Sequence, residues 1–185
     1  EIYPGGTVLD RDRTGAVRRY GTNPYAGYDD PLGNPFLFAG PLDDRARAQL
    51  RVIGIEVDGK AAAYSINVVR DVDAGATATP VTVGGTDLVV LWSAGQASAL
   101  DTSEIEGGRD VGTVGVFVPE VDGARLTFSA DSGVFVDQET GSRWTVAGTA
   151  VDGPLAGSKL ERVPHLDTFW FAWSTYKPGT DFIEE

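Results

Sequence analysis

The triplet Val57-Asp58-Gly59 stands between two strand-like runs, Arg51–Val57 and Lys60–Ile66. An Asp-Gly pair in that setting specifies a tight hairpin, because a type I′ turn needs φ > 0 at both central positions. The same triplet at Val121-Asp122-Gly123 lies between Val114–Val118 and Arg125–Phe128 and predicts a second hairpin. The copy at Val151-Asp152-Gly153 runs into Pro154 and reads as an ordinary turn. Val134–Val136 and Trp144–Val146 flank Asp137–Gly141 and predict a further hairpin. The uninterrupted apolar run Leu88–Trp92 reads as a buried central strand. The spacing of the triplets is unequal, so they do not mark a repeat architecture. The expected fold is mostly β, a compact antiparallel β-sandwich or barrel-like domain.

Residues 1–50 follow another rule. Tyr3-Pro4-Gly5-Gly6, Asn23-Pro24, Asp30-Pro31 and Asn34-Pro35 punctuate the segment, and proline neither tolerates a helical predecessor nor donates to a sheet. Tyr20, Tyr25, Tyr28, Phe36, Leu37 and Phe38 anchor it, which predicts an irregular N-terminal strap over a core rather than a free linker. Asp43–Leu50 is expected to form a short helix capped by Asp43. Residues 51–185 form the β-rich core, and strap and core make one folding unit. Near the end, Phe169–Tyr176 predicts a short C-terminal aromatic helix, capped by Asp167 and stopped by Lys177-Pro178-Gly179. Residues 169, 172, 173 and 176 share one face of such a helix.

Charge and sulfur content narrow the function. The net charge is −12, which sets aside nucleic-acid binding through a basic surface. The 18 Asp outnumber the 9 Glu, and only 3 of the 15 basic residues are lysine, a balance suited to high ionic strength. There is no cysteine, hence no disulfide, thiolate metal site or cysteine nucleophile. Residue 1 is not methionine and none occurs elsewhere, which predicts a processed mature protein or a fragment. No run approaches the roughly 18 apolar residues that cross a bilayer, so no membrane span is expected. Together these features suggest an extracytoplasmic protein, secreted or at the cell surface.

Several segments occur in a familiar order: Val52–Ile55, Leu88–Trp92, Ser98–Asp101, the Asp137-x-x-Thr140-Gly141-Ser142-x-Trp144 block, Gly153-Pro154-Leu155-Ala156-Gly157, and Trp170–Trp173 with Pro178. In this order they resemble the bacterial and archaeal family termed domain of unknown function 3179, over roughly residues 50–185. The resemblance implies a β-rich exported domain of undefined activity. It also implies a Cys-Pro-x-Cys pair just after the buried strand and a histidine before the late proline. This chain has Ser93–Ser98 and Lys177 in those places, so it is a divergent member without that thiol chemistry.

His165 is the only histidine. With Asp167 to orient it and a serine such as Ser98, Ser93 or Ser142 brought near by the fold, it is the candidate general base of a hydrolase. The Gly-x-Ser-x-Gly elbow is absent, and a backbone-bonded structural histidine is the competing reading. Asp10-Arg11-Asp12-Arg13-Thr14-Gly15 imitates the start of a calcium loop, but Gly21 falls where the closing Glu belongs. No cofactor is assigned; calcium is the metal the oxygen-only ligand set favours, with Asp10, Asp12, Asp29, Asp30 and Asp131 as donors. Arg109 either pairs with Asp101 or Asp110, or grips an anion in a cleft. Tyr25, Tyr28, Trp170 and Trp173 are the candidate contact residues, with Trp170 or Trp173 expected to be partly exposed, or buried only by another chain. Two classes of function follow. One is a non-enzymatic binding or assembly module, partnered by itself or by another extracellular protein. The alternative is a secreted hydrolase or calcium-dependent carbohydrate-active protein using His165 or paired carboxylates.

Overall fold

The computed structural model of the chain describes residues 15, 21–131 and 133–184. Its strands begin with β1 (Arg51–Val57) and β2 (Lys60–Ser65), joined at Asp58 (φ 49°) and Gly59 (φ 76°), the left-handed pair that the hairpin reading required. A helical turn, α1 (Ile66–Val69), leads to β3 (Ala76–Val83) and β4 (Thr86–Ser93). These two close into a second hairpin through Gly84 and Gly85, both at positive φ. Then follow β5 (Thr113–Val118), the short pair β6 (Glu120–Val121) and β7 (Ala124–Arg125), β8 (Phe128–Asp131), β9 (Val134–Asp137), β10 (Arg143–Trp144), β11 (Ala150–Asp152), β12 (Glu161–Arg162) and β13 (His165–Phe169). Helix α2 (Trp170–Tyr176) and β14 (Asp181–Ile183) end the described chain.

The strands form three stacked four-stranded sheets, with orders β13-β1-β2-β14, β12-β5-β4-β3 and β11-β10-β9-β8, and a separate β6-β7 ribbon. The fold is thus mostly β and sandwich-like, and the described strands close no barrel. The middle sheet explains the unbroken apolar run. Leu88, Val90 and Trp92 face the first sheet's Ile53, Ile55 and Tyr64, whereas Val89 and Leu91 face the third sheet's Phe128, Phe135 and Trp144. A strand buried on both faces has no polar side to alternate with.

The first sheet also has a second face. Val52 and Ala63 pack against Trp170 and Trp173 of α2. Gly54 makes this contact geometrically feasible: a Cβ there would lie 2.3 Å from Trp173 Cε3, so only glycine lets the indole lie flat on β1.

Four expectations need correction. The Asp122-Gly123 turn closes only the β6-β7 ribbon; β5 pairs instead with β4 and β12, and Phe128 with β9. Asp43–Leu50 forms turns and not a helix, because its own groups are claimed elsewhere. The Leu50 and Ala48 carbonyls accept from Trp170 and Phe171, and Asp43 folds back onto the Arg45 N–H (3.0 Å) and guanidinium. Asp167 does not cap α2; it lies within β13 and takes Arg51. The buried face of α2 is Trp170, Trp173 and Ser174, and Tyr176 is 83% exposed.

Candidate functional site

The strap from residue 21 onward lies on its own core. Residues 21–28 run beside residues 100–105, with Asn23 N–H donating to the Ser103 carbonyl (2.8 Å), Gly27 N–H to Asp101 (2.7 Å) and Ile105 N–H to Gly21 (2.9 Å). Asp29 ends this run with its side chain buried. One carboxylate oxygen accepts the Ser98 hydroxyl, whose own oxygen accepts the Leu100 N–H at 3.2 Å. Arg109 Nη2 lies 2.9 Å from the other oxygen but directs its hydrogen to the Asp29 carbonyl, so that oxygen is met by charge without an aligned bond. Gln49, also buried, donates to the Tyr28 carbonyl. Arg109 is therefore a structural clamp, as one reading had it, with a partner that local sequence did not reveal. Its backbone N–H is held by Asp101 (2.7 Å).

Once bolted at Asp29, the strap presents a continuous set of rings. Tyr28 meets Phe36 edge-on at 5.0 Å and Phe169 at 6.0 Å; Tyr25 flanks both Tyr28 and Phe36 at 6.5 Å. Phe169 stacks with Phe171 at 6.1 Å, and Phe171 meets Phe38 at 5.2 Å. Edge-to-face and offset arrangements at these separations are attractive, so the rings stiffen a segment with little backbone structure. Phe36 itself is 67% exposed, and Leu32 (73%) and Leu37 (66%) of the same stretch are exposed with it. Phe169 also borders a cleft of about 250 Å³ between β13 and residues 96–100, where Arg51 holds Asp167 through two bonds of 2.9 and 2.8 Å.

The remaining candidates separate. His165 shares a face of β13 with Asp167, but its Nδ1 lies 2.9 Å from the Val163 carbonyl and Asp167 is turned to Arg51. Ser98 is occupied by Asp29. Trp170 and Trp173 are buried, against the expectation of partial exposure; their indole N–H groups bond the Asp43 carbonyl (3.2 Å) and Thr180 Oγ1 (3.0 Å). Trp170 also carries the Arg45 guanidinium over its ring at 5.0 Å. Beside them, Phe169 and Phe171 reach solvent in part, as do Tyr25, Tyr28 and Phe36 of the strap. Asp30 is exposed and caps the Leu32 N–H (2.9 Å), while Asp29 is consumed by its bolt. Asp10 and Asp12 lie outside the described residues. Among the described residues no group of three or more His, Asp or Glu side chains is placed to share a metal ion.

The two blocks that carried the family resemblance meet in space. Asp137 is fully buried, accepting from Trp144 Nε1 (2.8 Å), Thr140 N–H (2.6 Å) and the Thr140 hydroxyl. Burial pushes its carboxyl up, and these donors outweigh burial, so the group is held below the ordinary aspartate value. Ser142 Oγ accepts the Leu155 N–H (3.0 Å), and a Cβ on Gly153 would lie 2.7 Å from Ser142 Cα. The blocks form one polar staple across the third sheet. In the loop where relatives are expected to keep cysteines, Asp110 does similar work by accepting from Gly95 (2.7 Å), Gln96 (3.2 Å) and Gly112 (2.8 Å).

The chain belongs to the DUF3179 family of proteins of unknown function, whose family model matches residues 1–180. No curated protein matches it, and no solved structure does.

Proposed function

We propose that this chain is an exported, non-enzymatic binding or assembly module that takes a partner on the aromatic face of its strap. The observation that carries this reading is the ring chain Tyr25–Phe36–Tyr28–Phe169–Phe171–Phe38, capped by Leu32, Phe36 and Leu37 at more than three-fifths exposure. A soluble surface gains nothing from contiguous exposed apolar side chains, and such patches serve contacts. The scaffold beneath suits that role, because Asp29, Ser98 and Arg109 fix the face before any partner arrives and so lower the ordering cost of binding. Export is supported by the lack of both oxidisable sulfur residues.

Hydroxyl-radical footprinting tests this proposal. The purified chain and the chain in extract from its own source are oxidised side by side. Tyr25, Phe36 and Leu37 are expected to be protected in the extract, with Tyr176 oxidised equally in both. Equal oxidation of all four would sink the reading.

A further inference from the structure

Residues 31–42 contain no charged side chain, and aspartates close the stretch on both sides, Asp29-Asp30 before it and Asp43-Asp44 after it. The cations of this region are mostly spent. Arg45 pairs with Asp43, Arg51 with Asp167 and Arg109 with Asp29. Exposed Asp30, Asp44 and Glu104 take part in none of the ion pairs among the described residues, and Glu104 bridges the strap at Thr22. Among the described residues of the strap, Arg47 is the exposed cation outside those pairs. The apolar loop is thus bracketed in the chain by acids, two of which, Asp30 and Asp44, are exposed and outside those pairs.

We infer that the partner is a protein segment with apolar anchors flanked by Lys or Arg, seated over Leu32, Phe36 and Leu37. The inference rests on the strap face being the contact surface and adds the partner's chemistry. Complementary rims set partner choice and speed encounter, whereas like charges across an interface are costly. That cost argues against two other occupants. A second copy in a two-fold arrangement would bring the same acids face to face. An anionic bilayer would meet these acids with charge of their own sign.

The test uses arrayed peptides sharing Leu/Phe anchors and differing only in flanks of lysine, glutamate or serine. Binding is measured to the full chain, to Phe36→Ser/Leu37→Ser and to Asp44→Lys/Glu104→Lys. The inference expects the lysine-flanked set to bind best, to lose about tenfold or more in the Phe36/Leu37 variant, and to lose its advantage in the charge-reversed variant and at 1 M salt. Thermal unfolding of each variant confirms an intact fold. Anchor-dependent binding indifferent to the flanks overturns the partner chemistry and leaves the contact face standing. Absence of peptide binding, or binding unchanged in the Phe36/Leu37 variant, overturns both. Anchor-dependent flotation on phosphatidylcholine vesicles, or an anchor-dependent dimer in sedimentation, overturns the protein-segment assignment in favour of a bilayer or a second copy.

Discussion

Ser98 donates its hydroxyl hydrogen to the Asp29 carboxylate across 69 residues of chain, with both side chains buried. This contact is the buried side-chain link among the bonds that join the strap to the loop after β4, and Arg109 supplies the charge that lets a carboxylate be buried there. Arg109→Ala leaves that carboxylate without compensation and is expected to cost about 3 kcal/mol; Ser98→Ala, which removes one hydrogen bond, should cost about 1 kcal/mol. Limited proteolysis is expected to cut the Arg109 variant first within residues 30–42 and to leave residues 51–184 resistant. Uniform resistance would show that the bolt does not hold the strap.

Packing of α2 on β1 depends on the missing side chain of Gly54. A methyl group there meets the Trp173 ring at 2.3–2.5 Å, so Gly54→Ala must displace the indole or the strand. The expected cost is about 1–3 kcal/mol by denaturant unfolding, with a red shift in tryptophan emission as Trp173 loses its enclosure. An unchanged midpoint and spectrum would contradict this packing.

Asp137 sets a dependence on acid. Its folded-state value is depressed, so its contribution is complete above the unfolded value of about 3.9 and is lost as the pH falls through the folded value. Asp110, depressed because three backbone N–H groups outweigh its burial, acts in the same direction. The wild-type chain is therefore expected to lose stability steeply below about pH 4. Asp137→Asn should be less stable at neutral pH by roughly 2–4 kcal/mol and show a shallower slope below pH 4, because it has no proton to take up. A parallel slope in the variant would refute the assignment.

Much of the fold was legible because its turns are local. Asp58-Gly59 announced β1-β2 by backbone preference alone, and the Leu88–Trp92 run announced a strand covered on both faces. Where strands pair over distance, the same signals misled. Asp122-Gly123 does turn the chain, but nothing in the triplet says that β5 prefers β4 and β12. Gly84-Gly85 precedes the Leu88–Trp92 run, and a Gly-Gly pair ahead of a strand is itself a hairpin signal, here the turn of β3-β4. The site was harder to read. Tyr25 and Tyr28 were named from the sequence, but which rings of Phe169–Trp173 stay outside depends on Gly54 admitting Trp173 and on the strap covering Trp170. The register of α2 follows from β13 running through Asp167, and local capping rules pointed the other way. Asp29 resembled its neighbour Asp30 in sequence and was singled out only by a serine and an arginine 69 and 80 residues on.

Phe36 and Leu37 are about two-thirds exposed and Phe36 meets Tyr25 and Tyr28, so Phe36→Ser/Leu37→Ser should cost no more than about 1.5 kcal/mol. Circular dichroism and thermal unfolding check this, and a large loss would mean that the loop belongs to the core and not to an interface.

The most direct measurement replaces Phe36, and separately Tyr176, with a photo-activatable phenylalanine analogue and irradiates the chain in its native setting. Both positions are exposed, and Tyr176 closes α2 beside Lys177 and Asp181, outside the chain of strap rings. The account predicts a discrete adduct of defined mass from position 36, none from position 176, and loss of the adduct when Leu37 is also changed to Ser. Adducts from position 176 alone, or equally from both, would contradict it.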